Sequence, residues 1–70
     1  MTETLTMGER MRRLRRQKRW SQVELAAEAG VGRTAVARWE TDAAAPQMTH
    51  LFDVARALGV SMDHLVGGTS

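Results

Sequence analysis

Arginine and threonine side chains share one side of a short segment near the middle of this 70-residue sequence. If residues 33–39 form a helix, with about 100° between successive residues, one arc collects small and polar side chains: Arg33, Thr34, Ala37 and Arg38. The opposite arc is apolar, with Ala35, Val36 and Trp39. A guanidinium can donate two hydrogen bonds to guanine O6 and N7, a hydroxyl can meet several base edges, and a methyl can pack on the thymine methyl. The polar arc therefore predicts contacts with bases, against the alternative of a merely solvated helix face.

A second helix is expected immediately before this segment, over residues 22–29. Ser21 is a suitable N-cap, and Glu24 completes a capping box with it. Gly30 stands where a helix commonly ends in a left-handed turn, which glycine adopts without a Cβ penalty. Two short helices joined by a sharp turn are the pattern of a helix-turn-helix, whose second helix enters the major groove of DNA.

Local signals predict an all-α, compact fold of five helices. Thr6 and Glu9 form a capping box before the first helix, and Pro46 disfavours helical geometry at the residue before it. The helices are expected over these ranges: 7–18, 22–29, 33–41, 48–58 and 62–66. One apolar face of the fourth helix is expected to enter the core: Leu51, Phe52, Ala55 and Leu58.

The composition indicates a small protein that is not stabilised by disulfide bonds or by a cysteine-bound metal. Seventy residues make one domain with a limited core, and no cysteine is present to form a disulfide or a thiolate zinc site. No apolar run approaches the roughly 20 residues of a membrane span, and the N-terminus lacks a hydrophobic signal core. We expect a soluble, cytoplasmic protein without membrane contact. Its domain should span residues 6–67, between flexible tails at 1–5 and 68–70.

The formal net charge of +2 conceals an uneven distribution of charge along the chain. Residues 1–38 contain nine Lys or Arg and four acidic residues, whereas residues 39–70 contain one Arg and four acidic residues. A chain polarised in this way often presents one basic face to a polyanion.

The chain resembles the lambdoid-repressor family, the Cro/C1 or Xre-type helix-turn-helix proteins. The matching residues fall in the register of that family: Ser21-Gln22, Leu25-Ala26, Gly30-Val31, Val36 and Trp39-Glu40. Leu14-Arg15 resembles part of the family's first helix, and residues 46–65 resemble its fourth and fifth helices. The resemblance implies a lambda-repressor-like domain in a transcriptional regulator. Such a protein would act as a homodimeric repressor or autoregulator on double-stranded operator DNA, in a bacterium or a phage.

The same resemblance implies which residues meet DNA. The family positions that match Arg33, Thr34 and Arg38 face base edges. Gln22, at the start of the second helix, would touch a phosphate and brace the recognition helix. Apart from the resemblance, basic residues at the end of the first helix lie toward the second helix and are expected near phosphates, against the alternative of a solvated charged face. With the N-cap of the recognition helix, the further candidates for phosphate contacts are Gly32, Arg15, Arg16, Lys18 and Arg19.

Arg15 has a second role by resemblance, because the family pairs this arginine with the glutamate that ends the recognition helix, here Glu40. If that pair is partly buried, losing one partner strands the other charge. The chain also departs from the family's pattern. Gly32 offers no side-chain oxygen as a cap, and Asp42 replaces a usual glycine. Residues 43–45 are alanines where many relatives have basic residues, so one copy should bind DNA weakly.

The fifth helix carries more apolar side chains than so short a helix needs for the core, and these form the candidate dimer interface: Met62, Leu65 and Val66. We expect Leu65 to face inward and the other two to contact a second copy. The alternative is that all three seal the core. Two copies on half-sites about one helical turn apart would raise both affinity and selectivity.

Several residues could stack on bases, bind a metal or act in catalysis, but their positions favour a structural or solvated role. Trp20 and Trp39 could stack on bases, but both fit apolar stripes. Histidine and aspartate are scattered on short helices without the spacing of a metal or catalytic site: His50, Asp53, Asp63 and His64. The sequence therefore predicts no enzyme, no cofactor and no small-molecule ligand. The alternatives to a DNA-binding regulator are a protein-interaction module of the same fold and, more weakly, a membrane-surface peptide centred on the first helix.

Overall fold

Five helices make up the structure, a computed structural model that describes residues 5–67. Their bounds are α1 Met7–Gln17, α2 Gln22–Ala29, α3 Arg33–Glu40, α4 Met48–Leu58 and α5 Met62–Val66. The all-α prediction is confirmed, and α1 and α3 each end one residue earlier than the sequence predicts. The expected tails fall outside the described residues, except that Leu5 is partly buried. Within residues 5–67, none of the helices has the length and apolar character needed to cross a membrane.

Side-chain caps determine where the first two helices begin. The Thr6 hydroxyl accepts a hydrogen bond from the Glu9 amide at 3.1 Å, and the Glu9 carboxylate accepts one from the Thr6 amide at 2.9 Å. Ser21 and Glu24 form the same reciprocal pair at 3.1 and 2.7 Å. Each box satisfies amides that a helix start leaves unpaired, and losing such a cap costs typically about 1 kcal/mol. Both predicted capping boxes are therefore confirmed.

The ends of the helices differ in the residue that makes the left-handed turn. Gly30 ends α2 and Gly59 ends α4, each with φ of 74°. At the end of α1, however, the left-handed position is occupied by Arg19, with φ of 61°. The Arg19 amide donates to the Arg16 carbonyl at 2.9 Å, and the Trp20 amide donates to the Arg15 carbonyl at 3.2 Å. Sequence analysis did not predict a left-handed arginine, because this position most often holds glycine.

A single hydrophobic core joins all five helices. Its fully buried large side chains come from each of them: Met11, Leu25, Val36, Val54 and Leu65. The α2 helix packs against both α3 and α4, while α1 packs against α3 and α5. This arrangement leaves one side of α3 in solvent and presses its other side onto the core.

Phe52 corrects one expectation about this core. The apolar stripe of α4 predicts that the side chain of Phe52 is buried, but it is 56 % exposed. The buried positions of α4 are Val54, Ala55 and Leu58, with Leu51 packed against them. At about 100° per residue, Phe52 lies roughly 110° from the centre of that arc, so it emerges beside the core rather than in it.

Candidate nucleic-acid interface

The α3 helix presents the side chains expected for base contacts on its free face. Arg33, Thr34 and Arg38 are exposed, and Ala37 between them is half-buried. Val36 and Trp39, on the other face, are buried in the core. The packing of α3 therefore aims two guanidiniums and one hydroxyl at solvent from a helix whose own position is held by apolar contacts. The base contacts of these four residues stay predictions.

The C-terminal end of α3 is tied to α1 by a buried ion pair. Arg15 Nε lies 2.6 Å from Glu40 Oε2, and Arg15 Nη2 lies 3.0 Å from Glu40 Oε1. The side chains are 9 % and 2 % exposed, respectively. Two parallel, charge-assisted hydrogen bonds fix both the distance and the angle between the groups. The structure thus brings together the two residues that the resemblance pairs.

Two further contacts extend this ion pair into a network. The Gln22 side-chain amide donates to Glu40 Oε1 at 3.2 Å. Arg15 Nη1 donates to the Trp20 carbonyl at 2.6 Å. The network connects the end of α1, the start of α2 and the end of α3, so it braces α3 against both preceding helices.

The network also limits what Arg15 can offer to DNA. Three of the five guanidinium donors point at protein oxygens, and the side chain is almost fully buried. Of the two roles expected for Arg15, the structure shows the pairing with Glu40. It does not show the solvent-facing guanidinium that a phosphate contact would use.

Exposed basic side chains surround the turn between α1 and α2. Arg16, Lys18 and Arg19 are all exposed. The Lys18 ammonium lies 5.1 Å from the centre of the Trp20 ring, which is within the range of a cation–π contact. Trp20, which Lys18 contacts through its ring, is also the residue whose carbonyl accepts from Arg15, so the basic turn adjoins the network that reaches α3.

The start of α3 has an open N-terminus. Gly32 is its N-cap and makes no side-chain capping hydrogen bond. A Cβ built on Gly32 would meet nothing within 4 Å. Because the first amides of a helix carry partial positive charge, an uncapped start of this kind suits an oxygen anion such as a phosphate.

Sequence analysis missed one cluster at the other end of α3. Asp42, just after the helix, accepts hydrogen bonds from the Thr6 hydroxyl at 2.6 Å and from the Gly8 amide at 3.1 Å. A Cβ on Gly8 would lie 2.3 Å from the Trp39 carbonyl oxygen and 2.8 Å from that of Glu40. The available signals were a glycine in the first turn of α1 and an aspartate in place of a glycine, but neither reveals a partner about 35 residues away.

The three α5 residues expected at a dimer interface differ in how far they are exposed to solvent. Leu65 is fully buried and faces inward as expected, so of the three candidate residues it is the one without surface for a second copy. Met62 is half-buried, and Val66 is 46 % exposed. Beside them, Phe52, Val60 and Met62 line a shallow groove between α4 and α5.

The histidines and the remaining acidic residues are the other candidates for metal ligands. In the part of the chain that the structure describes, no three His, Asp or Glu residues are placed to hold a metal ion together. The His50 ring lies against Trp39, with 5.6 Å between ring centres. Both tryptophans pack on the core, Trp39 within it and Trp20 at its edge, as the apolar stripes predict.

Comparisons with known proteins agree with this geometry. A helix-turn-helix family model matches residues 11–65. The immunity repressor protein of Bacillus phage phi105 is 35 % identical over 63 residues, which are 90 % of this chain and 44 % of that protein. The chain therefore spans less than half the length of this curated relative.

Solved structures of similar chains include complexes with DNA. The P22 c2 repressor bound to a synthetic operator superimposes with a TM-score of 0.89 at 33 % identity, covering 94 % of this chain and 100 % of that one. SinR in complex with DNA gives 0.82 at 31 % identity, covering 86 % and 97 %. The restriction-modification controller protein C.AhdI of Aeromonas hydrophila gives 0.81 at 30 % identity, covering 84 % and 89 %.

Proposed function

Because this chain belongs to the Cro/C1-type helix-turn-helix family, we propose that it is a transcriptional regulator that binds double-stranded DNA sequence-specifically. The observation that carries the proposal is the free face of α3, where Arg33, Thr34 and Arg38 are exposed while Val36 and Trp39 anchor the helix in the core. In this function, α3 lies in the major groove. Solved relatives of the same fold in complex with operator or other DNA support the assignment.

Base recognition in this proposal comes from four residues with different chemistry. Arg33 and Arg38 donate bidentate hydrogen bonds, for which the O6 and N7 acceptors of guanine are the best match in the major groove. Thr34 bonds a neighbouring base edge through its hydroxyl, and the Ala37 methyl packs against a thymine methyl. These contacts carry the sequence preference, since phosphates are the same at every base pair.

Phosphate contacts orient α3 on the duplex. The first amide of α2, at Gln22, and the amide of Gly32, the N-cap of α3, offer hydrogen bonds to phosphate oxygens on either side of the groove. Arg16, Lys18 and Arg19 add positive charge at the turn that leads into α2. Arg15 acts through the network that holds Glu40 and Gln22. Because such contacts displace condensed counterions, binding should weaken steeply as the salt concentration rises.

The proposal includes a homodimer. Phe52 and Val66 expose apolar surface near α5, and the groove between α4 and α5 is lined by an acid and a base, Asp63 and Arg56, as well as by apolar side chains. An interface with two-fold symmetry pairs each residue with its counterpart in reverse order, so a groove with both charges complements itself. Met62, which lines the groove, and Val66 are the α5 contacts. Two copies would place two α3 helices on half-sites about one helical turn apart.

Repression or autoregulation in the cytoplasm is the role that this architecture fits best. The curated relative is an immunity repressor of a Bacillus phage, and two structural relatives are the P22 c2 repressor and a restriction-modification controller. A protein of this type blocks or adjusts transcription by occupying an operator. The rival function, a protein-interaction module, draws on the exposed Met48 and Phe52 of α4 and on the absence of basic residues at 43–45.

Selection of bound duplexes from a randomised pool tests the proposal. We expect enrichment of a near-palindromic sequence, and affinity for it that falls linearly on a log–log plot against salt concentration. A scrambled duplex of the same length and composition serves as the control for non-specific binding, and anionic vesicles serve as the control for membrane binding. Failure to enrich any sequence, with no salt-dependent binding to duplex DNA, would contradict the proposal and favour the interaction module.

A further inference from the structure

The α3 helix is fastened to α1 at a second place, beyond the ion pair of Arg15 and Glu40. The Asp42 carboxylate lies directly after α3 and receives two donors from the start of α1. Its Oδ2 accepts from the Thr6 hydroxyl at 2.6 Å, and its Oδ1 accepts from the Gly8 amide at 3.1 Å. We call this arrangement of Thr6, Gly8 and Asp42 the clasp.

The clasp is continuous with the cap of α1. The Thr6 hydroxyl accepts the Glu9 amide at 3.1 Å while it donates to Asp42. Asp42 also places a negative charge at the positive end of the α1 dipole, where an acid is stabilising. The start of α1 and the end of α3 therefore share one hydrogen-bond network.

Close backbone packing accompanies these hydrogen bonds. The space that a Cβ would need at Gly8 is already filled, since it would lie 2.3 Å from the carbonyl oxygen of Trp39. It would also lie 2.8 Å from Asp42 Oδ1. The absence of a side chain at Gly8 lets the two helices approach until the clasp can close.

Asp42 makes these contacts in an unfavourable setting. Its φ is 62°, in the left-handed region that glycine occupies more easily than aspartate. Its negative charge also stands near the helix proposed to approach a polyanion, where repulsion weakens binding. Neither the backbone nor the charge explains an aspartate here, whereas its two hydrogen bonds do.

We propose that Asp42 is a positioning residue for DNA recognition, which fixes the C-terminal end of α3 against the start of α1. This inference rests on the proposed DNA-binding function. The clasp and the Arg15–Glu40 pair hold one end of α3 at two separate points of α1, near its beginning and near its end. Val36 and Trp39 hold the buried side of α3 in the core, and the two polar attachments fix where its C-terminal end lies along α1. The clasp thereby sets the angle at which Arg33 and Arg38 enter the groove.

Two substitutions that both remove the negative charge of Asp42 separate its positioning role from its electrostatic effect. Asp42→Gly removes the carboxylate and both hydrogen bonds, and it relieves the left-handed backbone. Asp42→Asn removes the same charge but keeps the clasp, because the amide oxygen can accept from Gly8 and the amide nitrogen can donate to the Thr6 hydroxyl. Asparagine also tolerates the left-handed region. Because both variants lack the charge of Asp42, a difference in their sequence preference does not come from electrostatics, and the relieved backbone of Asp42→Gly favours folding rather than loss of preference.

The measurement is the ratio of dissociation constants for two duplexes. One duplex is the sequence selected from a random pool by the wild-type protein, and the other is its scrambled counterpart. Thermal unfolding first identifies a temperature at which all three proteins are folded. We expect Asp42→Gly to lower the specificity ratio by about fivefold or more, since a rotated α3 weakens bidentate base contacts. Asp42→Asn should keep the ratio within about twofold of wild type, even if loss of repulsion strengthens its binding to both duplexes.

An equal specificity ratio for Asp42→Gly and Asp42→Asn would overturn the inference, whether that ratio is kept or lost, because the clasp that only Asp42→Asn retains would then have no effect on base discrimination. Failure of the proposed function gives a different result, because the wild-type protein itself would then show no preference between the duplexes.

Discussion

Arg15 and Glu40 join the first and third helices by two parallel hydrogen bonds, Nε to Oε2 at 2.6 Å and Nη2 to Oε1 at 3.0 Å, with both side chains nearly excluded from water. Buried charges of this kind are interdependent, because removing one leaves the other without compensation at a cost of about 3–5 kcal/mol. The pair thus holds α3 in place only while both members are present.

A double-mutant cycle follows from this relationship. Arg15→Ala and Glu40→Ala should each lower the free energy of unfolding strongly, and the double variant should lose much less than the sum of the two. Urea denaturation of the four proteins measures the coupling, which we expect to exceed about 1 kcal/mol. Additive losses would show that the two side chains contribute independently to the stability of the fold.

Gly8→Ala is expected to destabilise the protein although alanine is the better helix former. The higher helix propensity of alanine is worth up to about 1 kcal/mol. This gain is outweighed because the new Cβ would lie 2.3 Å from the Trp39 carbonyl oxygen and must push α1 away from α3. The control is Gly32→Ser, where the Cβ meets open space and the hydroxyl can cap α3. Thermal unfolding should show opposite shifts for the two variants. A stabilised Gly8→Ala would mean that the two helices are less closely packed.

The sequence predicts those features whose cause lies within a few residues. Both capping boxes and the glycine turn at Gly30 involve neighbours three or four positions apart, and all three are found where predicted. The alternation of apolar and polar positions likewise predicts which face of α3 is free. The ion pair of Arg15 and Glu40 is a different case, because the family resemblance predicts that pairing and the spacing of the residues does not.

Features that depend on tertiary packing escaped prediction. The clasp joins Asp42 to residues about 35 positions away, and no local rule selects that partner. Phe52 belongs to an apolar stripe in the sequence of α4, yet only part of that stripe is buried in the small core. The left-handed Arg19 could not be predicted for a similar reason, since intrinsic preference favours glycine there and the fold overrides it.

Arg19→Gly should separate the stability of the turn from its charge. Glycine adopts φ of 61° without strain, so the free energy of unfolding should stay within about 1 kcal/mol of the wild-type value. If Arg19 contacts a phosphate, the slope of log affinity against log salt concentration should become less steep by about one. Arg19→Lys, which keeps the charge, is the matched control and should preserve the slope. An unchanged slope for Arg19→Gly would remove this residue from the phosphate contacts.

Val66→Glu tests the dimer surface. The valine is 46 % exposed on α5, and a carboxylate there would be costly to bury against a second copy. Sedimentation equilibrium should show a dimer for the wild type at high concentration and a monomer for the variant. Val23→Glu is the control, because Val23 is a similarly exposed valine on α2, away from α5, and should leave the association unchanged. A wild-type protein that stays monomeric, and binds selected DNA one copy at a time, would refute the homodimer.

The central claim, that α3 reads bases, is tested most directly by Arg38→Ala. Duplexes should be selected in parallel from one randomised pool with the wild type and with this variant. We expect the variant to lose about 1–3 kcal/mol on the wild-type sequence and to relax the preference at one base pair of each half-site, leaving the other positions unchanged. Uniformly weaker binding with an unaltered sequence preference would contradict the account, because Arg38 would then contact only the phosphate backbone.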